Sequence, residues 1–389
     1  MRGRRTSRSL LLVVGLCAAC GPSVSSDGGD AGVFEAGDAG VFAPGDASWP
    51  ASPCGQPVRR YTLALVPADA LMGVQTRAGV VRGDGQKLAI AHYNSVTGTL
   101  WVQSFDLADG SAENGRVQLP GVGEVDWNVW SVASWARPVA LIAVPAPARR
   151  LLWVEGNGGM LDVSEPMVPP ELPWASRIVF VPTEDGFVGL DNTAGDTAYV
   201  VRVTRDGIVS SRIDLPAGSS RYELAGNVDS PFALITASRF DDAPRVDLVG
   251  LGPLGSPPPD SWRTVFGDEP ALRLDVTPGR VALTATRDRE VEVVWLDSSL
   301  DEIGRQQVTL PYPGVATAVG EARHALVVSG ADWGLAYAPL DDSGVGSWHT
   351  LLPQPFLGPR AWSAGSGYGV VASSGIVTAD AFLLCGEGP

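Results

Sequence analysis

A short apolar pattern recurs seven times along this chain of 389 residues, and its period constrains the fold more than any other feature. Each copy is a mostly apolar triplet with alanine, valine or glycine at its centre, and successive centres lie 43 to 51 residues apart. The triplets are Leu88-Ala89-Ile90, Val139-Ala140-Leu141, Phe187-Val188-Gly189, Phe232-Ala233-Leu234, Val281-Ala282-Leu283, His324-Ala325-Leu326 and Tyr368-Gly369-Val370. A period of this length indicates structural repeats, each of which buries its apolar surface against the next.

Further apolar runs of strand length lie inside each repeat. In six repeats a second run follows about a dozen residues after the first: Leu100-Trp101-Val102, Leu152-Trp153-Val154, Val200-Val201-Arg202, Leu248-Val249-Gly250, Val293-Val294-Trp295 and Leu335-Ala336-Tyr337. Gly, Pro, Asp and Ser separate the runs, and no stretch shows a helical period. These signals predict an all-β chain.

Seven units of this length, each with several short strands, resemble the blades of a seven-bladed β-propeller over residues 54–389. The resemblance implies four-stranded blades that pack face to face, because one blade cannot cover both of its apolar faces. The small central residues of the triplets would then suit a strand near the crowded axis. No subfamily signature recurs through the repeats, so the resemblance is to the propeller architecture, and within it to propeller-like lipoproteins of bacteria with GC-rich genomes.

The last repeat is one strand short, which predicts how the ring closes. It supplies three strands within residues 360–384 and then ends, whereas residues 58–66 form a spare strand before the first repeat. We therefore expect residues 58–66 to complete the last blade by pairing antiparallel with residues 376–384. Cys54 and Cys385 would then lie together and form a disulfide, with Cα atoms roughly 4.4–6.8 Å apart.

The N-terminus has the features of a secretory signal over residues 1–19. Four arginines precede a short apolar run, and Ala18 and Ala19 precede Cys20. The segment resembles a bacterial lipobox, which implies cleavage before Cys20 and acylation (palmitate) of that cysteine, although Cys17 replaces the usual leucine. Gly21 agrees with an outer-membrane lipoprotein, at the periplasmic face or the cell surface. The alternative is a secreted protein without an anchor.

Residues 20–53 are expected to form a flexible, acidic Gly/Asp-rich tether. Residues 29–34 recur unchanged as residues 37–42, and such composition buries too little apolar surface to offset its ordering entropy. The formal net charge of the whole chain is −15. That charge argues against nucleic acid as a partner and against adsorption to anionic lipid, so the acyl anchor would supply the membrane attachment. We expect a monomer.

Motifs for catalysis or metal binding are not recognisable. The three histidines, His92, His324 and His349, lie too far apart in sequence to suggest a zinc site. His324 occupies a position that is apolar in other repeats, which favours a packed imidazole. We find no nucleophile elbow, P-loop or dinucleotide fingerprint. The sequence therefore predicts no catalytic residue, no metal and no cofactor.

Tryptophan is the residue type with a functional pattern. Trp127, Trp130 and Trp135 cluster around one predicted inner strand and match no other repeat, so we treat them as candidate ligand-binding aromatics, with core packing as the alternative. Trp101, Trp153 and Trp295 share one repeated strand, which predicts core packing. The expected function is a non-catalytic scaffold that binds a protein or glycan at the cell envelope. The alternative is a propeller enzyme acting on glycans, a glycoside hydrolase or lyase, with carboxylates gathered at one end of the channel.

Overall fold

All regular structure in the computed structural model is β-structure, within a unit that spans residues 39–389. The structure describes residues 41–42, 54–55, 58–64, 74–80, 87–94, 97–106, 112–119, 128–135, 137–144, 148–157, 160–170, 172, 178–191, 197–216, 219–227, 230, 233–239, 245–251, 262–267, 271–277, 279–320, 323–330, 334–353, 360–364, 367–373 and 378–385. Among these residues no helix is long and apolar enough to span a bilayer.

Thirty strands are assigned in the described residues. In chain order they are β1 (Val41–Phe42), β2 (Arg59–Ala64), β3 (Val74–Val80), β4 (Lys87–Asn94), β5 (Thr99–Asp106), β6 (Ala112–Gln118), β7 (Asn128–Ser134), β8 (Pro138–Val144), β9 (Arg150–Asn157), β10 (Met160–Ser164), β11 (Val179–Thr183), β12 (Gly186–Asp191), β13 (Thr197–Val203), β14 (Ile208–Asp214), β15 (Ser219–Ala225), β16 (Ala233–Arg239), β17 (Arg245–Leu251), β18 (Arg263–Phe266), β19 (Ala271–Val276), β20 (Arg280–Arg287), β21 (Glu290–Asp297), β22 (Glu302–Thr309), β23 (Val315–Val319), β24 (His324–Gly330), β25 (Gly334–Asp341), β26 (Gly344–Val345), β27 (His349–Leu352), β28 (Arg360–Ala364), β29 (Gly367–Ser373) and β30 (Thr378–Cys385).

The strands form seven antiparallel sheets, which confirms the predicted seven-bladed β-propeller. Blades one to five are the consecutive sets β3–β6, β7–β10, β11–β14, β15–β18 and β19–β22. Blade six is β23-β24-β25, with β26 and β27 both pairing with β25. Blade seven is β28-β29-β30-β2-β1, so it combines the two ends of the described chain.

The first strands of the blades form a closed inner ring. Each of β3, β7, β11, β15, β19, β23 and β28 contacts the first strand of the next blade, and β28 contacts β3. The predicted alanine centres lie in the second strands, next to this ring; Ala89, Ala140 and Ala325 have no exposed surface. Small residues there allow neighbouring blades to approach closely at the narrow part of the wedge.

The hydrophobic core lies between blades rather than within one sheet. Each buried cluster joins two consecutive blades, from blades one and two through blades six and seven. Side chains alternate between the two faces of a strand, so Val281 and Leu283 pack toward blade four whereas Ala282 packs toward blade six. This two-sided burial explains why every residue of β8 is buried.

The last blade closes as the strand count predicts. Strand β2 pairs antiparallel with β30, from Arg59 opposite Leu383 to Ala64 opposite Thr378. The Cys54–Cys385 disulfide joins the same seam with Cα atoms 5.6 Å apart. The Arg60 guanidinium also donates from Nε and Nη2 to the two carboxylate oxygens of Asp380, at 3.3 and 3.0 Å.

The structure adds one strand that the sequence did not predict. Val41 and Phe42, inside the predicted tether, form β1 and pair with Leu63 and Thr62 of β2. An apolar pair of β-forming residues has thus extended the otherwise open edge of blade seven. The rest of the predicted tether, the signal and Cys20 lie outside the described residues.

Candidate functional site

A pair of stacked tryptophans lies where blades two and three meet. Trp135 follows β7, and its ring stacks on Trp153 of β9 with centroids 5.7 Å apart and planes 14° apart. Phe187 of β12 meets both rings edge-on, at 5.2 and 5.4 Å. The indole N–H of Trp135 donates to the carbonyl of Thr183 in blade three at 2.8 Å. Trp135 is therefore a half-buried residue held in a fixed position by both blades.

The two tryptophans line an open cleft of about 320 Å³. Most of its polar residues lie in turns. In an antiparallel blade, the turn between the first two strands and the turn between the last two strands lie at the same end of the sheet, so both reach the cleft. The charged groups of the lining are two guanidiniums and four carboxylates: Arg137, Arg205, Glu155, Glu184, Asp185 and Asp206. This volume lies at the lower end of the range for small-molecule pockets and suits a ligand the size of a hexose.

Glu155 connects the two walls of the cleft electrostatically. Its carboxylate oxygens lie 3.6 Å from Nη1 of Arg137 in blade two and 3.4 Å from Nη1 of Arg205 in blade three. The carboxylate is mostly buried, whereas about half of each arginine side chain is exposed. Because a guanidinium has several N–H donors and contacts Glu155 through Nη1, both arginines keep donors available to a ligand.

One polar group of the lining lacks a partner. Trp153 is 7% exposed, and its Nε1–H is buried without a hydrogen-bond acceptor among the described residues. Its burial confirms the core prediction for Trp153, but a buried donor normally has an acceptor.

The turn between β11 and β12 holds its shape through Gly186 and Thr183. The Thr183 hydroxyl donates to Asp185 Oδ1 at 2.7 Å. Gly186 has φ of +155°, and a Cβ there would collide with the carbonyl oxygen of Val203. Only glycine allows the turn to approach β13 this closely.

A second polar cluster lies at the ends of the inner strands of blades four to seven. Asp275 Oδ2 accepts from the Ser363 hydroxyl at 2.6 Å and from the Gly320 N–H at 3.3 Å. Asn227 donates from Nδ2 to the carbonyl of Val276 at 2.8 Å and to that of Ser363. Burial raises the pKa of Asp275 to about 6, against the opposing effect of the two hydrogen bonds. Because Ser363 is 1% exposed, we assign this cluster to blade–blade cohesion rather than to ligand binding.

His324 is a packed imidazole, as its repeat position predicts. Arg280 Nη1 lies 2.5 Å from its Nε2, and the carbonyl of Gly320 lies 3.0 Å from its Nδ1. Since a guanidinium only donates, Nε2 accepts and Nδ1 carries the proton, which describes a neutral ring. Burial lowers the pKa of His324, consistent with that form. Within the described residues, no group of three His, Cys, Asp or Glu side chains could hold a metal ion.

The structure places one of the three predicted ligand-binding tryptophans in the cleft. That residue is Trp135. Trp127 lies outside the described residues, and Trp130 belongs to β7 without a described side chain. The charged lining was not predicted from the sequence. A usable signal was the pair of similar turns Thr183-Glu184-Asp185-Gly186 and Thr204-Arg205-Asp206-Gly207, which blade three places side by side.

No protein-family model matches the chain, and no curated protein matches it in sequence. Similar solved structures include BBS1N in complex with ARL6DN, at 12% identity and a TM-score of 0.44 over 87% of this chain and 93% of that one. They also include the Dos1 propeller, at 11% identity and a TM-score of 0.45 over 80% and 84%. A third is the six-bladed fucose-recognising lectin of Aleuria aurantia, at 10% identity and a TM-score of 0.43 over 82% and 93%.

Proposed function

We propose that this protein is a non-catalytic, glycan-binding β-propeller of the cell envelope, with the cleft between blades two and three as its binding site. One observation carries the proposal. A stacked tryptophan pair, held by both blades, lines a cleft that also contains two guanidiniums and four carboxylates. This combination suits a ligand with an apolar face and several hydrogen-bonding groups.

A pyranose ring has that chemistry. Its C–H face packs on an indole ring, and its hydroxyls both donate and accept hydrogen bonds. The guanidiniums and carboxylates around Trp135 supply donors and acceptors of both kinds. Polar groups that orient a ligand around an aromatic surface are typical of small-molecule sites.

Attachment to the membrane is the second part of the proposal. The basic and apolar segments before Cys20 support an acyl anchor, with residues 20–53 as a spacer and the outer membrane as its site. Mass spectrometry of the mature N-terminus should find an acylated Cys20 with nothing before it. An unmodified mature N-terminus would refute the anchor and leave the glycan site unaffected.

A glycan array with the purified protein tests the binding site. Trp135→Ala should abolish glycan binding, because it removes the exposed stacking surface. Trp262→Ala is the matched control, since its indole N–H likewise donates to a carbonyl of the neighbouring blade, Asp214, at 3.1 Å but outside the cleft. Equal binding by wild type and Trp135→Ala would overturn the assignment of the site.

The gathering of carboxylates supports a second candidate, a glycoside hydrolase. Glu155, Glu184, Asp185 and Asp206 line the same cleft, and glycoside hydrolysis uses two carboxyl groups on either side of the scissile bond. The two functions differ in turnover. We expect bound oligosaccharides to be recovered intact; hydrolysis that Glu184→Gln or Asp185→Asn abolishes would establish the enzyme instead.

A further inference from the structure

One wall of the cleft is attached to the next blade by backbone hydrogen bonds. This wall includes the turn of residues 183–186 between β11 and β12, which we call the cleft turn. The Glu184 N–H donates to the carbonyl of Ser230 in blade four at 2.9 Å. The Ser230 N–H donates in turn to the carbonyl of Asn227 at 2.9 Å. The position of the cleft turn therefore depends on a segment of blade four that follows the inner strand β15.

That segment also packs closely against the end of β11. Gly226 lies beside Pro182, and a Cβ on this glycine would collide with the proline carbonyl oxygen. Ser230 has no exposed surface. We call Gly226, Asn227 and Ser230 the supporting turn. Because its contacts with the cleft turn involve backbone atoms of both, a shift of one turn should displace the other.

The side chain of Asn227 fixes the supporting turn in the ring. Its Nδ2 donates to the carbonyl of Val276 in blade five at 2.8 Å and to the carbonyl of Ser363 in blade seven. Blades four and seven are not neighbours, so the second contact crosses the end of the channel. Asn227 is 2% exposed, so water has little access to replace these two hydrogen bonds.

The cleft turn holds the groups that would face a ligand. The indole N–H of Trp135 donates to the carbonyl of Thr183 at 2.8 Å. The Thr183 hydroxyl donates to Oδ1 of Asp185, a lining residue, at 2.7 Å. A displaced cleft turn would therefore move an aromatic surface and a carboxylate of the cleft together.

We propose that Asn227 is a positioning residue of the cleft, which acts through the supporting turn to hold Trp135 and the cleft turn in their binding geometry. Asn227 itself lies outside the residues that line the cleft. A binding site needs such support, because small displacements of its groups weaken recognition. For its effect on binding the inference rests on the glycan-binding function proposed above, whereas the positioning can be measured without a ligand.

The indole N–H of Trp135 supplies the measurement. In proton–nitrogen correlation spectra of the purified protein, its signal is identified by its loss in Trp135→Phe. Asn227→Ala should shift this signal and speed exchange of the indole proton with solvent, because the Thr183 carbonyl is no longer held in place. An unchanged Trp135 signal in Asn227→Ala would overturn the proposal.

Asn94→Ala is the matched control. Asn94 is also 2% exposed, and its Oδ1 accepts from the Thr97 N–H at 3.0 Å in a turn of blade one, away from the cleft. This variant should lose stability in urea and keep the Trp135 signal of the wild type. Equal shifts in both variants would show that the signal follows global stability, and the positioning role would be rejected.

Gly226→Ala decides the question if Asn227→Ala does not fold. Its added methyl group presses on the carbonyl of Pro182 and leaves the Asn227 side chain with both of its acceptors. The Trp135 signal should shift in this variant as well. A folded Gly226→Ala protein with the wild-type signal would show that the supporting turn does not position the cleft.

The glycan array separates this inference from the proposed function. Asn227→Ala should lose most of the array signal of the wild type, and Asn94→Ala should retain it. Equal binding by wild type and Asn227→Ala would overturn the positioning role and leave glycan binding in place. Absence of binding by the wild type would overturn the proposed function, and the Trp135 signal would still decide whether Asn227 positions the cleft.

Discussion

At the scale of single residues, Asp275 shows how burial creates a pH-dependent contribution to stability. Its ordinary pKa is about 4, and in the folded protein it is about 6. Between these values the folded state holds a proton that the unfolded state has released. The free energy of unfolding therefore falls as the pH rises from about 4 to 6, and this contribution is constant above that window.

Asp275→Asn tests this contribution directly. The amide oxygen can still accept from Ser363 and Gly320, but the side chain no longer titrates. A pKa difference of about 2 corresponds to about 3 kcal/mol. The free energy of unfolding of wild type should therefore fall by about 3 kcal/mol between pH 4 and 6 through this group, whereas the variant should not show this fall. Urea unfolding at pH 4, 5, 6 and 7 measures it. If wild type and variant show the same slope, Asp275 is not the titrating group.

The sequence singles out Trp135 because three clustered tryptophans that break the repeat pattern are unusual. The structure places Trp135 in the cleft, and its role in ligand binding stays a prediction. It missed the carboxylates and arginines around it. Thr-Glu-Asp-Gly and Thr-Arg-Asp-Gly resemble ordinary solvated turns, and only the packing of blade three against blade two brings them to one cleft. Packing between repeats is not visible in the local pattern of either repeat.

At the scale of elements, the seam between β2 and β30 contains a buried carboxylate paired with an arginine. The side chain of Asp380 is 1% exposed, and that of Arg60 is 39% exposed. Arg60→Leu would leave the carboxylate buried without this partner, which should cost about 2 kcal/mol after allowance for the exposure of the arginine. Guanidinium chloride unfolding measures the loss. Arg59→Leu, one residue earlier on β2, is the control and should have a small effect; equal losses would assign the effect to the strand and not to the ion pair.

Strand β2 was predictable by counting strands, because six repeats supply four strands each and the seventh supplies three. Strand β1 was not. Its two residues lie in a Gly- and Asp-rich stretch whose composition predicts no structure, and their pairing depends on an edge that only the closed blade offers.

At the scale of the whole molecule, the disulfide joins residues 331 positions apart and so closes nearly the entire ring. In the loop-entropy model a link of this span stabilises the fold by at most about 5–6 kcal/mol, and measured disulfides commonly give about 2–5 kcal/mol. The six other blades are each formed from consecutive strands and need no such link. Loss of the disulfide should therefore act first on blade seven.

Hydrogen exchange of the Cys54→Ser variant tests this order of unfolding. Amides of β2 and β30 should lose protection first, while those of β20 and β21 in blade five keep it longer, because sub-global opening follows the weakest seam. Cys385→Ser and reduced wild type should show the same pattern, since all three lack one bond. A uniform loss of protection through all seven blades would mean that the ring opens cooperatively. In that case the disulfide would stabilise all seven blades together and not blade seven in particular.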